Sequence, residues 1–462
     1  MQPVRLLLAL CAALLSGEPA HSTALSQRET IGDAIDGVWR SQGYGWIIVL
    51  SQGVPALYHA AGPYCYRDPD PDAGEDEPFR LVTIVHQNRI AFATGAAETR
   101  YVFNRIAALP PACLAEQRWS PAETGRLIAA TFADLYPGFG HRGRTQEALA
   151  AALATLPPDA TEAALYDRLE PALAALDDAH VGVEAIVGGE ERSFESGEAP
   201  SILAIRGDSS LGADPAARER QWSQRYRESL SALLEGGGHQ VANRRVLWGT
   251  IGRVGYINIV TMGAFASEGP PEDTAALDAA LDEALTAFSN LPGVIVDVSN
   301  NRGGYDAISL RIAGRFTDQP RLAFTKQAAG SDVPFQRFLV EPSDRVRYLG
   351  PVTLLTSDIT VSAGETFTLA MRSLPNVRHA GGRTRGALSD QLSKPLPNGW
   401  TLTLPAETYR AADGREYEGV GITPNFPTAP LGPDHAATVS VIAKHMAEVP
   451  AQAPLPFSPA SP

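Results

Sequence analysis

Cysteine is nearly absent from this chain, with three residues in 462, and the first of them, Cys11, lies in a segment built like a secretory signal. That segment, residues 1–24, has Arg5 in a short n-region, an apolar stretch from Leu6 to Leu15, and Ser22, Thr23 and Ala24 at a cleavage point. The mature chain is therefore expected to start near Leu25. Leu10 before Cys11 is a poor fit to a lipoprotein signal, so no lipid anchor is expected. Cys65 and Cys113 remain, in a chain bound for an oxidising compartment, and a disulfide between them is the natural expectation. Pairing them excludes a catalytic thiol, which needs a free cysteine of low pKa.

Long apolar runs are missing as well. The Leu6 to Leu15 stretch is too short to span a membrane and no later run is long enough, so the expectation is a secreted or periplasmic protein without a membrane span. The nine histidines are scattered, with no H-E-x-x-H pair and no free Cys/His cluster, and neither a metal nor another cofactor is expected. Positive charge is in deficit. With 38 basic against 52 acidic residues the formal charge is -14, which argues against nucleic acid as a partner and for a freely diffusing protein. What is present is a globular composition, 44% hydrophobic and 19% charged, in a chain long enough for two or three domains.

Residues 25–113 read as a small β-domain. Trp46–Leu50, Ala56–His59 and Leu81–Val85 are strand-like runs separated by Gly, Pro and Asp clusters, and the acidic stretch Asp68 to Glu77 reads as a solvated loop. Residues 114–185 change period. Ser120-Pro121-Ala122-Glu123 is a helix start, and Thr145 to Leu156 and Glu162 to Leu176 carry apolar residues at helical spacing. This segment closes on His180, at the boundary between a helix and a strand-like run. Residues 186–247, with a helix over Glu219 to Leu234 and the flexible Gly236-Gly237-Gly238, are either a lid or a connector. Residues 248–446 alternate strand and helix, and 447–462, rich in Pro and Ala, read as a disordered tail.

Two stretches of the α/β part invite a chemical reading. Val294 to Val298 is a buried strand followed by Ser299-Asn300-Asn301-Arg302-Gly303-Gly304, where paired glycines would let backbone N–H groups approach a ligand. In Pro351 to Glu365 an apolar strand leads to Ser362, which opens an apolar helix containing Phe367, Leu369, Ala370 and Leu374. Ser362 there is either a nucleophile close to free first-turn N–H groups or, with Glu365, an ordinary S-x-x-E capping box. His180 alone is equally open: a catalytic base, or a solvated histidine favoured near a helix C-terminus.

Taken together these stretches resemble the C-terminal processing (tail-specific) serine peptidases, a family that includes the tricorn core and the interphotoreceptor retinoid-binding protein. Asp297 to Gly304 is similar to the family's D-x-R-x-N-x-G-G loop, and Ser362-Ala363-Gly364-Glu365 to its S-A-x-E nucleophile motif. Gly381 to Gly386 resembles its G-x-x-T-x-G turn, and Glu418 to Asn425 its late E-G-x-G-V-x-P-D segment. The resemblance covers about residues 130–446 and leaves the N-terminal β-domain unexplained. It implies an α/β fold with a crotonase/ClpP-like catalytic core, to which the helical segment and the small N-terminal β-domain are added.

One departure bears on mechanism. The Ser/Lys branch of the family has a lysine directly after the G-x-x-T-x-G turn, and here that position is Ala387. The tricorn-like branch takes its base from an upstream D-x-H segment, which Asp178-Ala179-His180 resembles, and its orienting carboxylate from the late motif, at Glu418. Ser299 and Asn425 replace the loop arginine and the terminal aspartate, and Ala179 stands where tricorn has an assisting serine. The implied site is Ser362 as nucleophile, His180 as base and Glu418 as orienting carboxylate, with an oxyanion hole from Ala363 and Gly303 or Gly304. The implied substrate is a peptide or protein. Two other readings stay open, a catalytically silent ligand-binding protein on the same fold and an esterase, and no PDZ module is recognisable. Oligomeric state is not legible.

Overall fold

The computed structural model describes residues 35–448 apart from 53, 75–78, 80, 96–97, 141–144, 270, 429–430 and 433. The expected signal at 1–24 and residues 449–462 of the expected tail lie outside the described residues. The chain divides into two units. The first runs to Gly197 and also takes in Lys326–Gln336 and Ser389–Thr408; the second holds Glu198–Thr325, Arg337–Leu388 and the chain from Tyr409 onward.

In the first unit, short alternating runs broken by Gly, Pro and Asp give seven strands: β1 (Gly37–Ser41), β2 (Trp46–Ser51), β3 (Val54–Ala61), β4 (Tyr64–Arg67), β5 (Leu81–His86), β6 (Arg89–Ala93) and β7 (Tyr101–Ile106). They form one antiparallel sheet in the order β4-β3-β2-β1-β7-β6-β5. Alternate residues of β3 are buried, the period-2 signature of a sheet with one face on a core. Helices α1 (Pro121–Leu135), α2 (Gln146–Ala154) and α3 (Glu162–Ala174) follow, each opened by a side-chain cap, from Ser120, Thr145 and Thr161. Leu127, Ile128, Phe132, Leu165, Leu169 and Leu173 share one core with Trp39, Ile48, Phe92 and Phe103 of the sheet. A smaller antiparallel sheet joins β8 (Gly182–Val187) and β9 (Glu190–Glu195) to the hairpin Gln391–Pro395/Thr401–Pro405, through pairs such as Val183 with Leu402.

Cys65 and Cys113 are bonded, linking β4 to the short helix Pro111–Leu114 across a sequence separation of 48. A cross-link over a loop of that length is worth about 4 kcal/mol in the chain-entropy picture. Reduction is therefore expected to lower the melting temperature of the first unit by several degrees, measured by calorimetry with and without reductant. An unchanged transition would show the bond to be energetically idle.

The second unit is built on helices α4 (Pro200–Gly207) and α5 (Pro215–Ser231) and a seven-stranded sheet. Its strands are β10 (His239–Val241), β11 (Val246–Ile251), β12 (Val254–Ile259), β13 (Gly293–Asp297), β14 (Val352–Thr356), β15 (Val377–Gly381) and β16 (Phe426–Pro427), in sequential order. The first two pairings are antiparallel and the rest parallel. β12, β13 and β14 are buried along their whole length, as strands covered on both faces must be. Helices α6 (Glu272–Ala287), α7 (Asp306–Ala313) and α8 (Ala363–Arg372) supply Leu277, Leu281, Ile312, Phe367 and Met371 to one core cluster. On a second cluster α5 and α9 (His435–Glu448) place Trp222, Tyr226, Leu230, Val439 and Ile442 with Tyr256 and Ile295 of the sheet. No helix among the described residues is long and apolar enough to cross a membrane.

Candidate active site

β14 and β13 end side by side in the parallel sheet, so the loops after them are neighbours by construction. Polar side chains stitch the two together. Thr360 Oγ1 donates to the Val298 carbonyl at 2.8 Å, Ser357 Oγ donates to the Ser299 carbonyl, and the Val361 N–H donates to the Asn301 carbonyl at 3.3 Å. The β14 loop then delivers Ser362 to the start of α8 with φ 57° and ψ −127°. Such a backbone costs a non-glycine residue on the order of 1–3 kcal/mol and persists only where surrounding contacts over-determine it. The Ser362 side chain makes no capping bond. The S-x-x-E spacing is thus not a capping box in the fold: the hydroxyl caps no helix N–H, and Glu365 is engaged elsewhere.

The glycine pair explains what lies against that serine. Gly303 and Gly304 have φ 83° and 140°. A methyl group on Gly304 would sit 2.3 Å from the Met262 carbonyl oxygen, and one on Gly303 would sit 2.7 Å from Ser362 Cβ and 3.2 Å from its Oγ. Only a residue without Cβ lets this backbone come so close to the hydroxyl. Asn301, fully buried, shapes the turn: its Nδ2 donates to the Ile259 carbonyl and its Oδ1 accepts the Gly303 N–H, both at 2.9 Å. The Gly303 N–H is thereby spent inside the loop. The Ala363 N–H, at the first position of α8, has no intrahelical carbonyl to reach. At the root of the loop, buried Asp297 accepts from Tyr256 Oη and lies 2.7 Å from His435 Nε2; although burial opposes it, His435 and these bonds hold the carboxyl below its ordinary range.

The other two motifs close around Glu365. Its buried carboxylate accepts from the N–H groups of Gly386 and Ala387, each at 2.8 Å, and from Thr384 Oγ1. Burial pushes its pKa up to about 7, although the three donors favour the charged form. Ala387 returns the contact, its carbonyl accepting the Ser362 N–H at 2.9 Å. Thr384 Oγ1 also accepts the Ile422 N–H at 2.7 Å, and the Gly419 N–H donates to the Gly386 carbonyl, so the late segment is laced to this turn. Glu418, buried within it, accepts the Leu388 N–H at 2.9 Å. The second unit therefore brings four motifs, Asp297–Gly304, Ser362–Glu365, Gly381–Gly386 and Glu418–Asn425, into one bonded assembly.

His180 belongs to the first unit, between α3 and β8. Asp178 organises its backbone: Oδ1 accepts the His180 N–H at 3.0 Å and Oδ2 accepts from Tyr136 Oη at 2.8 Å. Gly197 is required behind it, because a methyl there would lie 2.5 Å from the Asp178 nitrogen. The imidazole is buried, and its Nδ1 has no hydrogen-bond partner among the described residues. Burial lowers its pKa below the usual histidine value, against the opposing charges of Asp178 and Asp390 and a hydrogen bond to the Ser389 backbone. At neutral pH the ring is uncharged and can accept a proton.

Residues 253–428 match the model of peptidase family S41. The chain carries a peptidase family S41 domain. The S41 match takes in all four motifs and leaves His180 outside it. A "Probable CtpA-like serine protease" of Staphylococcus haemolyticus (strain JCSC1435) is 26% identical over 132 residues, which are 29% of this chain. The match spans 26% of that curated relative, about a quarter of its length. Among solved structures, a candidate peptidase of Parabacteroides merdae ATCC 43184 superposes with a TM-score of 0.52 at 22% identity, covering 69% of this chain and 93% of its own. Mature CPAF superposes with a TM-score of 0.51 at 12% identity, covering 73% and 99%. At such identities the likeness is one of fold: mixed α/β, with the antiparallel sheet of the first unit preceding it.

Within the S41 domain the motifs are legible in the sequence and their internal supports are not. Asn301 was legible only as a motif letter, and its use of the Gly303 N–H was not legible at all. Glu365 was legible only as a letter of the S-A-x-E motif or of a capping box. His435 carried no signal, since its partner Asp297 lies 138 residues away.

Proposed function

We propose that this chain is a secreted or periplasmic serine-type peptidase that hydrolyses peptide bonds through an acyl-enzyme on Ser362. The observation that carries the reading is Ser362 itself, held at positive φ with its hydroxyl uncapped, against Gly303, at the head of a helix whose first N–H is available. Ser362 Oγ attacks the carbonyl carbon of the scissile peptide while His180 takes the hydroxyl proton. The tetrahedral oxyanion is met by the Ala363 N–H and one N–H of the glycine pair. Engagement of the Gly303 N–H with Asn301 favours Gly304 for that role. The C–N bond then breaks, His180 gives the proton to the leaving amine, and water hydrolyses the ester by the same route in reverse order.

Ala387 in place of a lysine supports a histidine base, and the lowered pKa of His180 suits one. Glu418 is assigned the orienting carboxylate. On this reading the parallel sheet of the second unit is a crotonase/ClpP-like core within residues 248–446, with the base supplied by the 114–185 segment and residues 25–113 as an accessory β-domain. The disulfide fits an oxidising compartment. The family match favours neither the silent binder nor the esterase.

The test is intact mass after treatment with a fluorophosphonate. One adduct on the wild type and none on Ser362→Ala is the expected result. A folded wild type that takes no adduct, or a Ser362→Ala variant that still does, would remove the assignment.

A further inference from the structure

Positive charge is scarce in this chain, yet α5 and the hairpin beside it concentrate it. Arg220, Gln224, Arg227 and Ser231 fall at i, i+4, i+7 and i+11 of α5, one stripe along the helix. Arg227 and Gln224 line two open clefts at once. One, of about 930 Å³, also has Arg206, Glu219, Arg220 and Ser223 in its wall. The other, of about 490 Å³, has Arg244, Gln240, Ser231 and Glu228. All of these residues belong to the second unit.

The arginines around these clefts are of two kinds. Arg206 is paired with Glu198 and Glu219, and Arg218 donates to backbone carbonyls, as structural arginines do. Arg220, Arg227 and Arg244, by contrast, form no ion pair among the described residues. Burial and the nearby charge of Arg244 hold the Arg227 guanidinium below its usual pKa, with Glu228 acting the other way. The Glu228 carboxylate accepts from Gln224 Nε2 at 2.8 Å. Arg244 is presented by a turn in which Ala242, Asn243 and Arg244 all have positive φ (50°, 50° and 61°), with Asn243 Nδ2 tying the turn to the Ala264 carbonyl. Two like charges are thus brought to one cleft whose lining holds a single carboxylate, Glu228, beside amide donors from Gln224 and Gln240, while the Ser231 hydroxyl donates to the Gly237 carbonyl.

We infer that the paired clefts on either side of Arg227 are a binding site for a phosphoryl group, clamped between Arg227 and Arg244 and extended along α5 towards Arg220. A phosphoryl anion, as a terminal phosphate or a phosphodiester, presents tetrahedral oxygens that match two guanidinium forks plus neutral amide donors, and it relieves the mutual repulsion of the arginines. Each phosphate oxygen accepts from this wall, and Glu228, already engaged by Gln224, marks the edge of the site. The site uses none of the residues assigned to the Ser362 chemistry.

The full chain would be titrated with pyrophosphate by calorimetry at about 50 and 200 mM salt, and sedimented with phosphatidylglycerol or phosphatidylcholine vesicles. Saturable pyrophosphate binding is expected, weakened at least tenfold in the Arg227→Gln/Arg244→Gln double variant and unchanged in Arg225→Gln, whose position lines neither cleft. Fluorophosphonate labelling and the circular dichroism melt of the double variant should match wild type. If phosphatidylglycerol vesicles also bind and pyrophosphate displaces them, the phosphoryl group comes from a lipid headgroup; if only pyrophosphate binds, it comes from a soluble ligand. The inference is overturned if neither probe binds the folded wild type saturably. It is overturned equally if Arg225→Gln weakens binding as much as the double variant does.

Discussion

Replacing His180 with alanine is expected to lower kcat/KM on a peptide substrate by on the order of 10⁴-fold or more, with little change in KM. Ser362 Oγ is a poor nucleophile while it keeps its proton, and the position directly after the Gly381–Gly386 turn is Ala387 and not a lysine that could take it. The pH profile should carry the same signature. Burial holds the His180 pKa below the ordinary histidine value, so the ring becomes competent as the proton is lost, and activity should rise with pH along a limb centred below about 6.5. That limb should vanish from the residual activity of His180→Ala. The fold should survive the substitution, because the Asp178 contacts that order this segment go to the His180 backbone and to Tyr136 and not to the ring. A variant within tenfold of wild type would pass the role of base to another group.

Glu365→Gln is expected to destabilise the second unit by about 2–3 kcal/mol and to lower kcat/KM by about 10²-fold. Three donors converge on the carboxylate, from Thr384, Gly386 and Ala387. An amide offers one accepting oxygen, and its NH₂ group would face an N–H, leaving two buried donors opposed. Because the Ala387 carbonyl holds the Ser362 N–H, a displaced turn also releases the nucleophile. The stability curve supplies a second readout. The folded carboxyl titrates at about 7, above its unfolded value of 4.5, so the native state binds the proton more tightly between those limits. The contribution from this group is present below pH 4.5 and is lost as pH rises through about 7. The glutamine variant should show a flatter dependence of its urea midpoint across that window. A variant of wild-type midpoint and activity would reduce Glu365 to a bystander.

Much of this organisation is written locally. The runs at Trp46–Leu50 and Ala56–His59 become β2 and β3 because a short apolar or alternating run bounded by turn residues suffices to define a strand. Ser120 caps α1 through the Glu123 N–H, a bond between residues three apart. Cys65 and Cys113, expected to pair, are bonded. The four motifs were legible because each is a short, contiguous stretch whose letters keep their meaning without the rest of the chain.

What the sequence could not express is every relation in which a residue's partner is far away along the chain. Ser362 and Glu365 spell a capping box by spacing, yet the fold twists Ser362 to positive φ and sends Glu365 to a turn about twenty residues on. Gly303 and Gly304 were interchangeable as letters, and only the Asn301 side chain distinguishes their N–H groups. Residues 389–408 lie within the α/β stretch of the sequence, yet they pair as strands with β8 and belong to the first unit. Arg227 and Arg244 are unremarkable in composition and become a site because a helix and a hairpin bring them to one cleft. The sequence by itself determined the elements and the motifs, since propensity, periodicity and capping act within a few residues. The tertiary structure alone decided which donors, charges and strands are spent on one another, since packing and hydrogen bonding depend on proximity in space and not on order in the chain.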